Sequence, residues 1–496
     1  MTRLLLVLGD QLFPDHSLLQ PNDNSLFFMA EDHGLCTHFK YHKQKLVLFL
    51  SSMRSHADGL GDKHKLAYHE LSEDTKELSY EDKLLKTLEE NKDIDTLVCY
   101  RIEDVFFRDR VKAFCEKHKL TLEEVESPGF IFPLSDFEDY LKDTKKPFMH
   151  NYYKRQRKAK SILMQTDSEP LKGQWSFDEE NRKKLPKKVS IPDQPNSERK
   201  EHDEAVIALV EALFSDHPGT TEGFNYATTR RAALYRLSAF LKERFEDFGP
   251  YEDAFEADQV HLFHSVLSPY INMGLITASE VLEQAVDYAH ENDTHYPSLE
   301  GFVRQLMGWR EFMRGMYHNF DLDKNYFNHQ RRMKACWYTG DTGIPPLDDA
   351  IRKAQKHGYT HHIERLMVLG NIMLTTGLHP QEVYKWFMEM YVDSADWVME
   401  PNVFAMSQFA EGGIFATKPY LSGSNYIRKM SHYPKGDWCD VMDGLYWGFI
   451  DKHRETFEKN PRMGMMLRIL DKMDPTKKER LFKAADNWIE KVSFKN

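Results

Sequence analysis

The sequence predicts an α/β domain with a parallel, Rossmann-like sheet, joined to an all-α domain. Three observations predict it. Short apolar β-rich runs alternate with helical patterns through residues 1–139. Residues 140–203 turn basic, proline-bearing and weakly periodic, as an interdomain linker does. From 204 to 496 amphipathic helical periodicity dominates.

The elements follow in order. RLLLVLG (3–9) is the first strand, ended by the Gly9-Asp10-Gln11 turn. SLFFMA (25–30), KLVLFLSSM (45–53), KLAYHEL (65–71) and TLVCYR (96–101) read as further strands, apolar on both faces as a covered parallel sheet requires. SYEDKLLKTLEENK (79–92) and RDRVKAFCEKHK (108–119) are intervening helices. Ligands of such sheets bind at the carboxyl ends of strands, where Gly9-Asp10-Gln11 falls, but no G-x-G-x-x-G marks a dinucleotide site. The linker holds one aromatic island, GQWSFDEENR (173–182), expected to pack on a neighbour. Helices are expected over 204–214, 228–246, 278–290, 298–316, 346–357, 361–376, 380–392 and 477–492.

Composition narrows the class. A chain of 496 residues exceeds one small core, and 41% hydrophobic with 29% charged residues is ordinary for a soluble globular protein. No apolar run approaches the ~20 residues a membrane span needs, and the N-terminus has no signal-peptide pattern. The five cysteines are scattered without C-x-x-C, so a disulfide framework and a zinc site are both disfavoured and a cytoplasmic location is expected. The net charge of −12 argues against a general nucleic-acid binder. Basic clusters at 154–160, 182–188 and 331–334 nevertheless offer a local phosphate-binding face.

Three stretches carry candidate chemistry. In LFHSVLSPYINMGLIT (262–277), Ser265 and Ser268 flank Leu267 at a Pro-marked helix start, read either as an anion site or as a simple cap. In FVRQLMGWREFMRGMY (302–317), Gln305, Arg310 and Arg314 recur near helical spacing. In YTHHIERLMVLGN (359–371), His361, His362, Glu364 and Arg365 crowd a helix otherwise bound for a core. The bland alternatives are a solvated bundle helix and a capped helix start.

Taken together, HSVLS, QLMGWREF, HHIERLM and YVDSADW follow the order of motifs in the flavin domain of the photolyase/cryptochrome family. LGDQL (8–12), HKQKL (42–46), GQWSFDEENR, TEGFNYATTR (221–230) and FGPYEDA (248–254) resemble its bacterial iron–sulfur branch, which includes prokaryotic (6-4) photolyases. The resemblance spans nearly the whole chain. It implies a DNA photolyase: light-driven repair of UV-damaged DNA by electron transfer from reduced FAD, in a protein expected to be monomeric. Residue by residue, it places Tyr251, Ser265, Leu267 and Ser268 near the FAD phosphates, and Gln305 and Arg310 on the next flavin-contacting helix. It makes Arg365 and Asp393 an ion pair beside the isoalloxazine and sets Asn402 toward flavin N5.

Family (6-4) enzymes have histidine where His362 stands, whereas cyclobutane enzymes tend to have asparagine. His362 is therefore the implied proton donor, His361 a local hydrogen-bonding neighbour, and Leu366 an apolar neighbour facing the lesion. Trp386 and Tyr338 fall at relay positions for flavin photoreduction, with Phe387 read as core packing. Gly9, Asp10, Gln11 and Glu31 suit an antenna chromophore, a lumazine or a deazaflavin, although Leu35 stands where an acidic contact is expected. Arg155, Arg157 and Arg182 are the expected DNA contacts. The branch's [4Fe–4S] cluster needs four thiolates; Pro346 replaces the first, and only Cys439 remains in the 431–447 loop. No cluster is therefore expected. A cyclobutane-dimer photolyase and a cryptochrome-like photoreceptor without repair remain the rival functions.

Overall fold

The computed structural model describes residues 2–199, 201–460 and 463–495. Its first part is a five-stranded sheet of β1 (Thr2–Leu6), β2 (Ser25–Ala30), β3 (Leu66–His69), β4 (Ile94–Tyr100) and β5 (Thr121–Val125), in the order β3-β2-β1-β4-β5. Every pairing is parallel, and Leu5 sits in register between Phe27 and Val98. Alternation sorts the side chains: Leu4, Leu6, Phe28 and Cys99 enter one buried cluster, Leu5, Val7, Phe27 and Val98 another. The second cluster runs on into the helical part through Val206, Phe240 and Leu267, so one face of the sheet packs against the rest of the molecule.

Two expectations change here. KLVLFLSSM is not a strand but the heart of a helix, Lys43–Gly61, whose N-cap His42 accepts from the Gln44 amide. Nearly its whole first half is buried, so its apolar run carries no helical stripe; a buried helix and a buried strand then read alike. The strand Thr121–Val125 goes unforeseen because it is a sheet edge with an exposed, acidic sequence, TLEEV. The helices expected at 79–92 and 108–119 form as Tyr80–Glu90, closed by a Ser79–Asp82 capping box, and Val105–His118.

The stretch 140–203 holds a helix, Met149–Lys160, with Tyr152, Tyr153, Gln156 and Arg157 buried. The remainder of the chain is helical, as its periodicity requires, with a short antiparallel pair joining Arg332–Met333 to Ser493–Phe494. A buried ion network ties the two parts: Arg314 bonds both oxygens of Glu103, just past β4, at 2.7 and 3.0 Å, and Glu126 at 2.7 Å. No helix among the described residues is long and apolar enough to cross a membrane.

Candidate functional site

The helical part encloses a cavity of about 300 Å³. Three π-helical segments, Arg304–Arg310, Glu364–Gly370 and Pro401–Ser407, each contribute to its wall. Wider i→i+5 turns displace side chains from α-helical register, and such segments are frequent at functional sites. A fourth wall is the HSVLS loop, where Val266, a β-branched residue, is held at φ 55° between Ser265 and Leu267. That conformation costs about 1–3 kcal/mol and persists only where surroundings impose it.

Of the FAD residues implied by resemblance, Ser265, Leu267, Ser268, Gln305, Arg310, Arg365, Asp393 and Asn402 all line this cavity. Arg365 grips Asp393 with two bonds, 2.9 and 3.2 Å, while its Nε donates to the Thr360 carbonyl at 2.8 Å. Its guanidinium lies 3.9 Å from the Tyr391 ring centre. Ser268 does not cap the short helix it begins; its hydroxyl donates to Asp393 Oδ2 at 2.7 Å instead. Arg310 lies against the rings of both Phe130 and Trp397, 4.6 and 4.5 Å from their centres, and donates to Asn272 at 2.7 Å. Gln305 donates to Glu252 at 2.7 Å, and Asn402 to the Val398 carbonyl at 2.6 Å. Tyr251 is not among the lining residues; its ring packs 5.5 Å from Phe263 in a satellite cluster with Leu185 and Leu262.

His362 and Leu366 stand on the same wall. The His362 side chain is 46% exposed, and its Nε2 lies 3.6 Å from Asp253, which in turn lies 3.8 Å from Arg182. Burial alone would pull this imidazole down. The Asp253 carboxylate and the charge of Glu252 outweigh it and leave His362 above its ordinary value. His361 is the opposite case. It is 1% exposed, off the cavity wall, and neither ring nitrogen makes a hydrogen bond. Its ring stacks on His264 with centroids 4.6 Å apart, and burial with two neighbouring histidines pushes it well below its ordinary value. Its Nε2 stands 3.4 Å from Glu364 Oε2 and its ring has no face on the cavity, so the structure gives His361 a local polar neighbour and no contact that supports a catalytic role. His264, Asp253 and Trp397 went unassigned although each lies inside a motif that drew attention; polarity within those motifs was the available signal.

Trp386 is fully buried, and its indole donates to the Trp337 carbonyl at 2.7 Å. Phe387, expected only to fill the core, forms part of the cavity wall with its ring 5.4 Å from that of Trp386. Tyr338, half-buried, donates to Glu389 at 2.6 Å.

A second cavity, about 180 Å³, lies between sheet and helices and shares Asn272, Asp393 and Trp397 with the first. Gly9, Asp10, Glu31 and Leu35 line it. Gln11 does not: its amide turns away to donate to the Arg101 carbonyl at 3.2 Å. Glu31 is locked by Arg54 at 2.8 and 2.9 Å and by the Tyr68 hydroxyl. Burial lifts Asp10 to about 6.

The basic linker splits in two. Arg182 is exposed, bonded to Asp178 and 3.8 Å from Asp253, the carboxylate that faces His362. Arg155 is partly exposed, 3.5 Å from Asp136. Arg157 is a correction: it is 0% exposed, its guanidinium spent on the carbonyls of Ile162, Leu163 and Trp175, so it cannot touch DNA.

An α/β domain is joined to a helical domain, with adjoining cavities in the helical core and at the domain junction. Comparison gives the family. Residues 5–226 match the model of deoxyribodipyrimidine photo-lyase-related proteins, and residues 302–436 that of the FAD binding domain of DNA photolyase. The chain is 33% identical over 484 residues to a (6-4) photolyase of Agrobacterium fabrum, covering 93% of this chain and 94% of that one. Its fold matches a bacterial class III photolyase from Agrobacterium tumefaciens (TM-score 0.56, 17% identity, 99% and 98% of the two chains). It also matches a cryptochrome from Synechocystis (TM-score 0.54, 13% identity, 99% and 98%). The chain belongs to the photolyase/cryptochrome family.

Proposed function

We propose that the protein is a DNA photolyase that repairs pyrimidine (6-4) photoproducts with FAD in the larger cavity and His362 as proton donor. The observation that carries this is His362 on the cavity wall, open to solvent and raised by Asp253. A cyclobutane dimer needs an electron but no obligatory proton. A (6-4) product needs a proton to move its hydroxyl back between bases, and a histidine raised above its ordinary value suits that step.

The cavity's donor set fits a flavin: apolar faces from Leu267, Phe302, Leu306 and Met406, with guanidinium, amide and hydroxyl groups at the edges. Bound reduced FAD supplies the electron on excitation. Arg365 and Asp393 keep a paired charge against the ring site. Leu366 gives a flipped base an apolar contact beside His362; extrusion costs a few kcal/mol, less for a distorted lesion. Exposed Arg182, near the Asp253 that faces His362, holds DNA phosphates together with Arg155. Among the antenna residues, Gly9, Asp10 and Glu31 line the second cavity, and the wall it shares with the first supports a lumazine or deazaflavin bound there beside the flavin.

The residues do not fit the branch's iron–sulfur cluster. Pro346 is buried at the head of the helix Pro345–His357, Cys439 lies in an apolar core with Tyr433 and Trp438, and Cys336 approaches the Val492 carbonyl. We assign no cluster. All five cysteines are free, as in a reducing cytoplasm, and the protein acts as a monomer in this reading. Illumination with oligonucleotides bearing each lesion tests it. Repair of the (6-4) product, lost in His362→Ala, is expected. Repair of cyclobutane dimers alone favours the first rival, and lesion binding without repair of either favours a photoreceptor.

A further inference from the structure

One carboxylate beside the aromatic row has no task in the reading above. Glu389 Oε2 accepts the Tyr338 hydroxyl at 2.6 Å. Its side chain is 3% exposed, its other oxygen makes no hydrogen bond, and the Lys385 ammonium stands 3.8 Å away. The aromatic row runs outward from the cavity. Phe387 forms the wall, Trp386 lies behind it, and the Trp386 indole is bonded to the carbonyl of Trp337, the residue before half-buried Tyr338.

A phenol that loses an electron becomes a strong acid, so its oxidation needs a proton acceptor already in place. The carboxylate of Glu389 is that acceptor. We propose that Tyr338 and Glu389 act as one proton-coupled electron donor at the outer end of the row. This rests on the reading of Trp386 as a relay toward FAD. The step balances as follows. The Trp386 indole radical cation takes one electron from Tyr338 as the phenol O–H bond breaks and the proton passes to Glu389 Oε2. The products are neutral tryptophan, a neutral tyrosyl radical and protonated Glu389. A soluble thiol then returns one electron, Glu389 returns the proton, and the oxidised thiol loses its own proton to water. Burial raises the Glu389 carboxyl above its ordinary value, which helps it keep the proton while the radical lasts. Separating radical from reductant in this way slows the electron's return to Tyr338.

Glu389→Gln separates this role from packing, because the amide oxygen still accepts the Tyr338 hydrogen bond but cannot take its proton. In flash spectroscopy and electron paramagnetic resonance of the FAD-loaded protein, wild type is expected to show a tyrosyl radical whose formation slows in heavy water. Glu389→Gln should cut its yield by roughly tenfold or more, as loss of a positioned proton acceptor does, and lengthen the life of the tryptophan radical. Tyr338→Phe should abolish the signal. A flavin-independent arm photo-oxidises the purified protein with tris(bipyridine)ruthenium and compares the Tyr338-dependent radical in wild type and Glu389→Gln. Equal yields in wild type and Glu389→Gln, or a tyrosyl signal surviving in Tyr338→Phe, would overturn the proposal. An intact ruthenium result with no light-driven flavin reduction would instead overturn the cofactor reading and leave the pair standing.

Discussion

Breaking the Arg365–Asp393 pair is the sharpest energetic test of the cavity. Asp393 accepts two bonds from Arg365 and one from Ser268, whereas Arg365 keeps the Thr360 carbonyl and the Tyr391 ring when Asp393 is changed. Removing one member of a buried pair typically costs about 3–5 kcal/mol because the other charge is stranded. Asp393→Asn should fall at the low end, about 3 kcal/mol, since two contacts still hold the guanidinium. Arg365→Met should fall at the high end, about 5 kcal/mol, because Ser268 alone remains to Asp393. The double variant strands neither charge and should lose no more than the larger single change, a coupling of at least about 3 kcal/mol. If the loss falls on cofactor binding, each single change weakens FAD affinity by about a hundredfold or more at 1.4 kcal/mol per decade. Fluorescence titration with FAD reads this, and amide hydrogen exchange over residues 362–376 reads the same loss in the apoprotein. A double variant that loses the sum of the two single effects would show that the pair is not coupled, and the reasoning fails.

The remaining predictions are narrower. His362→Gln should abolish (6-4) repair by roughly a hundredfold or more while FAD binding stays within a few-fold, measured by lesion chromatography beside titration. Because Asp253 and Glu252 raise His362, its cationic form and the stability it confers are complete below its unfolded value of 6.5. Both fade as pH climbs through the raised folded value. The alkaline limb of the repair profile should move to lower pH in Asp253→Asn. Arg182→Ala should weaken binding of damaged DNA and lower the salt slope by about 1. Arg157→Ala should instead lower the melting temperature and leave that slope unchanged, since Arg157 is buried. Metal analysis of purified protein should find far below four irons per chain, and chelators should leave its melting temperature unmoved.

The sequence by itself determined the two-part fold and most of the larger cavity. The strand–helix alternation is a local pattern and survives in one dimension; Gln305, Arg310, Arg365 and Asp393 were marked by the resemblance of the motifs that hold them, and all four line the cavity. Tertiary structure decided what depends on surroundings. The apolar run at 45–53 became a helix because it is buried nearly all round, where period and propensity say little. Arg157 and Arg182 are both basic linker residues, yet folding buries one among carbonyls and leaves the other exposed. His361 and His362 are adjacent letters with opposite fates. One stacks on His264 in the interior and is pushed below its ordinary value; the other faces solvent and Asp253 and is pushed above it. Charge state is set by the dielectric and the partners that folding brings near, and neither is written in the order of residues.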